Sequence, residues 1–226
     1  MRRYIVVCII LQLKINNMKN LVIIGAGGMG RTFYDMSRES VGYGVEYEIK
    51  GFIDDNLLSL DSFENYPPII GTISEYQPEE GDVFVCSIGG TSRRVCIEKI
   101  LARGGEFITM IHNTARIGTN VSLGKGNLIG AFTTVAADVK IGDYNFIQSY
   151  TIIGHDVIIG DWNRIDSHVM CVGGITIGNE TMIHTSAMLN HNVKIGDKAH
   201  IGACCFITKD VEAGATMFAS PARRLM

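Results

Sequence analysis

Proline and tryptophan are scarce, 4 and 1 in 226 residues, and no stretch carries charge of one sign. With 20 Lys+Arg against 23 Asp+Glu the formal net charge is −3. Proteins that grip nucleic acid need clustered Lys/Arg to displace counterions, so that class of partner is not expected. The six cysteines, Cys8, Cys86, Cys96, Cys171, Cys204 and Cys205, form no Cys-x-x-Cys pair and no framework of a small secreted domain. A reduced, cytoplasmic protein is the expectation. No H-E-x-x-H or similar spacing occurs, so no metal is expected. The apolar run Tyr4–Leu11 is too short for a bilayer, which takes about 20 residues, and no membrane partner is expected.

Residues 1–17 stand apart. Arg2-Arg3 and the apolar run imitate a signal peptide, but no A-x-A site follows. Met18-Lys19-Asn20 leads directly into Leu21-Val22-Ile23-Ile24-Gly25, so the native chain is expected to start at Met18, with 1–17 a non-native or disordered extension.

Glycine, at 26 residues, and aliphatic side chains are abundant. From Ile111 an aliphatic residue recurs at every sixth position through Ile207, seventeen units in all, with Cys171 as the one substitute. Glycine often follows it, at 118, 124, 130, 142, 154, 160, 178, 196 and 202. The fifth position of each unit is small, β-branched or Asn. A period of six turns the chain at a corner after every short strand. Three units then close one triangular coil, with the aliphatic side chain inside. This is the hexapeptide repeat of a parallel β-helix, left-handed in its named type, over residues 109–226. The glycines are expected at the corners, where a positive φ would strain other residues.

Residues 18–108 follow another rhythm. Strands over 20–24, 46–53 and 83–86 alternate with helices over 31–40 and 92–103, the pattern of a small Rossmann-like α/β domain. Gly25-x-Gly27-x-x-Gly30 falls between the first strand and helix, where backbone N–H groups can approach a diphosphate. Gly25, Gly27, Gly28, the acids Asp54 and Asp55 after the second strand, and Ser87-Ile88-Gly89 after the third are the candidate nucleotide-sugar-binding residues. A nicotinamide oxidoreductase is the rival, but only one mononucleotide half is present, which suits a single nucleotide.

His155 is the candidate catalytic residue. It follows Ile153-Gly154, so its ring should face out of the prism, and Asp156 is adjacent. Imidazole can take a proton near neutral pH, and a neighbouring carboxylate fixes its tautomer. His112, His168, His184, His191 and His200 lack such support, and Cys204-Cys205 reads as packing.

The chain from Met18 resembles the sugar acyltransferases of the sialic acid O-acetyltransferase family, which includes N-acetyltransferases of nucleotide-activated 4-amino sugars. The resemblance rests on residues 22–28, Gly51-Phe52-Ile53-Asp54-Asp55, Ser87-Ile88-Gly89, Ile153-Gly154-His155-Asp156-Val157-x-Ile159-Gly160 and Pro221-Ala222-Arg223-Arg224. It implies a homotrimer with acetyl-CoA in the groove between two prisms and the nucleotide sugar on the first domain. It further implies His155 as general base and Asp156 as its orienting group. The backbone N–H of Gly173, one coil above, would be the oxyanion donor. Where relatives often carry Asn seven residues before the histidine and His nine after it, this chain has Gln148 and Arg164, so both join Gly173 as acetyl-CoA-binding candidates. Ala219-Ser220 stands where Gly-Asn or Gly-x is usual. The implied activity is acetyl transfer to a nucleotide-linked amino sugar for a surface glycan. Sugar O-acetylation and a non-catalytic, nucleotide-binding trimeric scaffold remain the alternatives.

Overall fold

The structure, a computed structural model, describes residues 18–90 and 92–219. The segment 1–17 and the closing Pro221-Ala222-Arg223-Arg224 lie outside the described residues. The chain divides into two compact units between Ile108 and Thr109.

The first unit runs β1 (Lys19–Ile24), α1 (Gly28–Arg38), β2 (Tyr47–Ile53), β3 (Ile69–Gly71), β4 (Asp82–Cys86), α2 (Ser92–Leu101) and β5 (Glu106–Phe107). The five strands form one parallel sheet in the order β3-β2-β1-β4-β5. Leu21, Val22, Ile23 and Ile24 are all fully buried, as a central parallel strand requires, because both of its faces are covered. Helix α1 starts three residues before the expected Arg31. The end of the glycine loop is itself helical, with Gly27 as N-cap and Arg31 N donating to Gly27 O at 3.0 Å. Helix α2 stops at Leu101 rather than Arg103. Gly104 takes φ +85° there, and Gly105 N donates to Ile100 O. Strand β5 has two residues and no periodicity that could announce it.

The second unit is a triangular parallel β-helix. Two-residue strands recur every six residues and pair with strands 18 residues away, as in Val135 with Ile117 and Ile153. One face stacks Ile111, Ile129, Ile147, Ile165, Ile183 and Ile201; the second Ile117, Val135, Ile153, Cys171, Leu189 and Ile207; the third Leu123, Ile141, Ile159, Ile177 and Ile195. These side chains form the core, together with fifth-position residues such as Val139, Val157, Ile175 and Val193. Truncating a buried Ile here to Ala costs about 2–5 kcal/mol. The Cys171 thiol behaves as one more apolar group, its pKa pushed up to about 12 by burial. At the third corner the fifth position is Asn127, Asn145, Asn163 and Thr181, all buried. Each of the first three side-chain carbonyls accepts the backbone N–H one coil on, at 2.8–2.9 Å.

The corners differ from the expectation in one respect. The glycines that follow the aliphatic residue have ordinary φ; the left-handed conformation falls two residues later, on Asp138, Tyr144, Tyr150, Asp156, Trp162 and their equivalents. A left-handed non-glycine costs about 1–2 kcal/mol. Each of these five N–H groups finds a carbonyl one coil below, for example Trp162 N to Asp143 O at 2.9 Å, which offsets that strain. The glycines serve close approach instead. A Cβ at Gly118 would lie 2.7 Å from Ala136 C, and one at Gly130 would lie 2.5 Å from Ser149 N. After Ile207 the period contracts: Val211 pairs with Ile195 and Met217 with Ile201, so the last coil is two residues short.

Candidate active site

The repeat places His155 as expected, at the corner between the second and third faces. Ile153 fills the prism, and the next two side chains turn outward. His155 Nδ1 lies 2.6 Å from Asp156 Oδ2, with both side chains 64% exposed. A carboxylate only accepts, so Nδ1 carries the hydrogen and Nε2 keeps its lone pair for an incoming proton. Asp156 holds this position through its left-handed backbone, φ +59°, which turns the carboxylate back toward the preceding imidazole.

Gly173 sits directly over the ring. A Cβ there would lie 2.5 Å from His155 Nε2 and 2.6 Å from Cε1, so glycine is what leaves room for the imidazole. The N–H of Gly173 donates to no partner among the described residues, while Gly174 N donates to His155 O and Asn192 N to Gly173 O. A lone-pair-bearing imidazole nitrogen and an available backbone N–H therefore sit one coil apart, the pairing that acyl transfer uses for proton removal and oxyanion stabilisation.

Gln148 belongs to a different corner, between the first and second faces, and Arg164 to the first face beside it; a strand separates each from His155 within one chain. Both bind Asp166: Gln148 Nε2 donates to Oδ1 at 2.7 Å and Arg164 Nε to the same oxygen at 2.6 Å. His184 Nδ1 meets Oδ2 at 3.1 Å. This second histidine–carboxylate pair escaped the sequence reading because its partners are 18 residues apart; stacking the repeats in threes would have revealed it. Of the other histidines, His112 is buried against Thr114 Oγ1 at 2.8 Å, and His168 stacks on Tyr150 at 5.1 Å. His191 and His200 are exposed. Among the described residues no group of three or more His, Cys, Asp or Glu could hold a metal ion.

In the first unit, Gly25, Ser87 and the acids gather at the carboxyl edge of the sheet, where β1 and β4 end side by side. The glycines divide by task. Gly25 has φ +94°, and a Cβ at Gly30 would lie 2.1 Å from Gly25 O, so these two make the turn and the helix contact. Gly27 and Gly28 are exposed, with no atom within 3.5 Å of a Cβ added at either, and leave the helix N-terminus open to an anion. Ser87 Oγ is buried and donates to Ile24 O at 2.8 Å, bracing the loop. Asp54 Oδ2 accepts from Ala26 N at 2.7 Å and Oδ1 from Asn56 N at 2.8 Å, while Asp55 Oδ1 accepts from Ser74 N at 3.0 Å. Both acids thus already shape the edge loops. Ile88 and Gly89 remain partly or fully exposed beside them.

A further cluster had no sequence signature. Lys50 Nζ donates to Tyr76 Oη at 2.9 Å, Glu79 Oε2 at 2.6 Å and Asp82 Oδ1 at 2.9 Å, and Tyr76 Oη donates to Asp82 Oδ2 at 2.7 Å. Burial alone would raise the Asp82 carboxyl, but the hydrogen bonds from Tyr76, the Glu79 N–H and Lys50 outweigh it and hold it below its usual range. Burial also pushes Tyr76 up to about 12.

Both units match known protein families and solved structures. Residues 20–101 match the PglD N-terminal domain, and residues 108–192 match the GMPPB C-terminal domain. The acetyltransferase domain of PglB from Neisseria gonorrhoeae, solved with acetyl coenzyme A, is 26% identical. It superposes with a TM-score of 0.79 over 92% of this chain and 99% of its own. The chain is thus similar in sequence and fold to a solved acetyltransferase domain over nearly its whole length. PerB from Caulobacter crescentus, solved with CoA and GDP-perosamine, shares the fold of this chain at 23% identity and a TM-score of 0.76, over 87% of this chain and 92% of its own. An uncharacterized protein, L142, of Acanthamoeba polyphaga mimivirus is 34% identical over 118 residues, 51% of this chain; that stretch is 22% of the viral protein's length. Among the described residues no helix is long and apolar enough to cross a membrane.

Proposed function

We propose that this protein moves an acetyl group from acetyl-CoA to the amino group of a nucleotide-linked amino sugar, a 4-amino-deoxysugar, with His155 as general base. The observation that carries the reading is the His155–Asp156 pair, its Nε2 free and lying against Gly173. The acetyl coenzyme A bound by the PglB domain supports the donor. His155 Nε2 takes the proton from the attacking nitrogen as that nitrogen bonds to the thioester carbonyl. Asp156 stabilises the imidazolium that forms. The Gly173 N–H donates to the oxyanion, and as the C–S bond breaks the imidazolium returns the proton to the departing CoA sulfur. The products are an acetamido sugar and CoA. The open helix N-terminus at Gly27 and Gly28 is the place for the nucleotide diphosphate.

A homotrimer suits the outward row of the second face, Ile152, Met170, Met188 and Phe206. Three of these are 40–61% exposed, a broad apolar surface that cyclic closure would cover. We place the protein in the cytoplasm, serving synthesis of a surface glycan. The test is CoA release with acetyl-CoA and UDP-, GDP- and dTDP-linked 4-amino and 3-amino sugars, beside unactivated sialic acid. Turnover with one nucleotide amino sugar, lost in His155→Ala, is the expected result. Turnover with sialic acid alone would replace this reading with O-acetylation, and silence throughout would favour a non-catalytic scaffold.

A further inference from the structure

The three corners of the prism carry different charge. The corner between the third and first faces is acidic, with Asp143, Asp161, Glu180 and Asp197 in successive coils. The corner between the first and second faces has one acid in residues 148–151, 166–169, 184–187 and 202–205, and that acid, Asp166, is buried. Around it stand Arg164, His168 and His184, and His200 follows on the first face two coils beyond Arg164. In the glycine column of this corner, Gly130 and Gly202 bracket Gln148, Asp166 and His184. The three polar side chains replace the small residue that close coil packing favours elsewhere, and they bind one another.

Their arrangement orients cations outward. Asp166 Oδ1 is taken by Arg164 Nε and Gln148 Nε2, and Oδ2 by His184 Nδ1, while Ser167 Oγ donates to Gln148 Oε1 at 3.1 Å. The buried carboxylate fixes the planes of both the guanidinium and the imidazole. The terminal amino groups of Arg164 and Nε2 of His184 have no protein partner among the described residues, and both side chains are about a third or more exposed. A guanidinium braced through Nε, with its two terminal groups free, matches an oxyanion of phosphate geometry. When His184 is protonated its Nε2–H adds a second charged donor.

We propose that Arg164 and His184, held by Asp166, form a binding site for a phosphate group of a phosphorylated ligand. The proposal rests on the acetyl-transfer reading only for its native ligand, which is either the phosphates of the acyl donor or those of the nucleotide sugar. Isothermal titration of the full chain with CoA, dephospho-CoA, pantetheine and UDP separates the two. In Arg164→Gln and in His184→Asn, affinity for CoA or for UDP should fall about tenfold or more, the loss of one charge-assisted hydrogen bond, with pantetheine unaffected. A fall confined to CoA identifies the donor, and one confined to UDP identifies the acceptor. Asp166→Asn should weaken binding through both side chains; since it also removes a buried carboxylate that three groups contact, the two exposed variants decide the question if it does not fold. Unchanged affinities in both, or an equal loss for pantetheine, would overturn the site. Phosphate binding without any CoA release by the unaltered protein would overturn the acetyl-transfer reading and leave the site standing.

Discussion

Replacing Gly173 by alanine isolates the placement of His155 from its chemistry. The added Cβ would lie 2.5 Å from Nε2, 2.6 Å from Cε1 and 3.1 Å from Cδ2. Relief to ordinary contact needs the ring to move by about 1 Å, a displacement that can cost on the order of 100-fold in rate, or about 2.7 kcal/mol of barrier. The backbone of Gly173 is outside the left-handed region, and the ring that must yield is 64% exposed. Stability should therefore change by less than about 1 kcal/mol. Alanine also keeps the N–H, so the oxyanion donor survives. Steady-state CoA release should show kcat falling about 100-fold with KM for acetyl-CoA little changed. His155→Asn supplies the control: if the alanine acts through the imidazole, the double variant should be no slower than His155→Asn alone. Wild-type kcat in Gly173→Ala, or a loss that simply adds to that of His155→Asn, would refute the reasoning.

Three other outcomes are expected. Asp82 is held below its usual 3.8, so its contribution is full above that value and lost as pH falls through the lower folded-state value; Tyr76, raised from 10.0 to about 12, favours its neutral form, so its contribution is full below pH 10 and lost toward 12. Asp82→Asn should flatten the acid limb of first-unit stability and Tyr76→Phe the alkaline limb, read by hydrogen exchange in β4 across pH; unchanged limbs would show that other groups set them. Gly30→Ala, whose Cβ would meet the Gly25 carbonyl at 2.1 Å, should cost about 2 kcal/mol or more in urea unfolding, against under about 1 for Gly27→Ala, where the space is open. Equal stability of the two would sink that division of roles. Ile152→Lys with Met188→Lys should convert a sedimenting trimer to monomer and abolish CoA release, and a monomeric unaltered protein would remove the proposed trimer.

The six-residue period was enough to specify the prism, because every aliphatic residue from Ile111 to Ile207 states the same corner geometry again. Gly25 and Gly30 likewise mark the first strand-to-helix turn, since a positive φ at one and a close backbone approach at the other exclude side chains there. His155 and Asp156 were legible because they are neighbours in the chain, and their 2.6 Å contact needs only the local backbone. Tertiary structure decided what depends on register across coils and strands. The Asp166–His184 pair exists only because 18 residues return the chain to the same corner, and Asp54 is committed to Ala26 only because β1 and β2 end together. Local periodicity reports which way a side chain faces, whereas its partner depends on how far the next pass of the chain has advanced; only the folded register sets that distance.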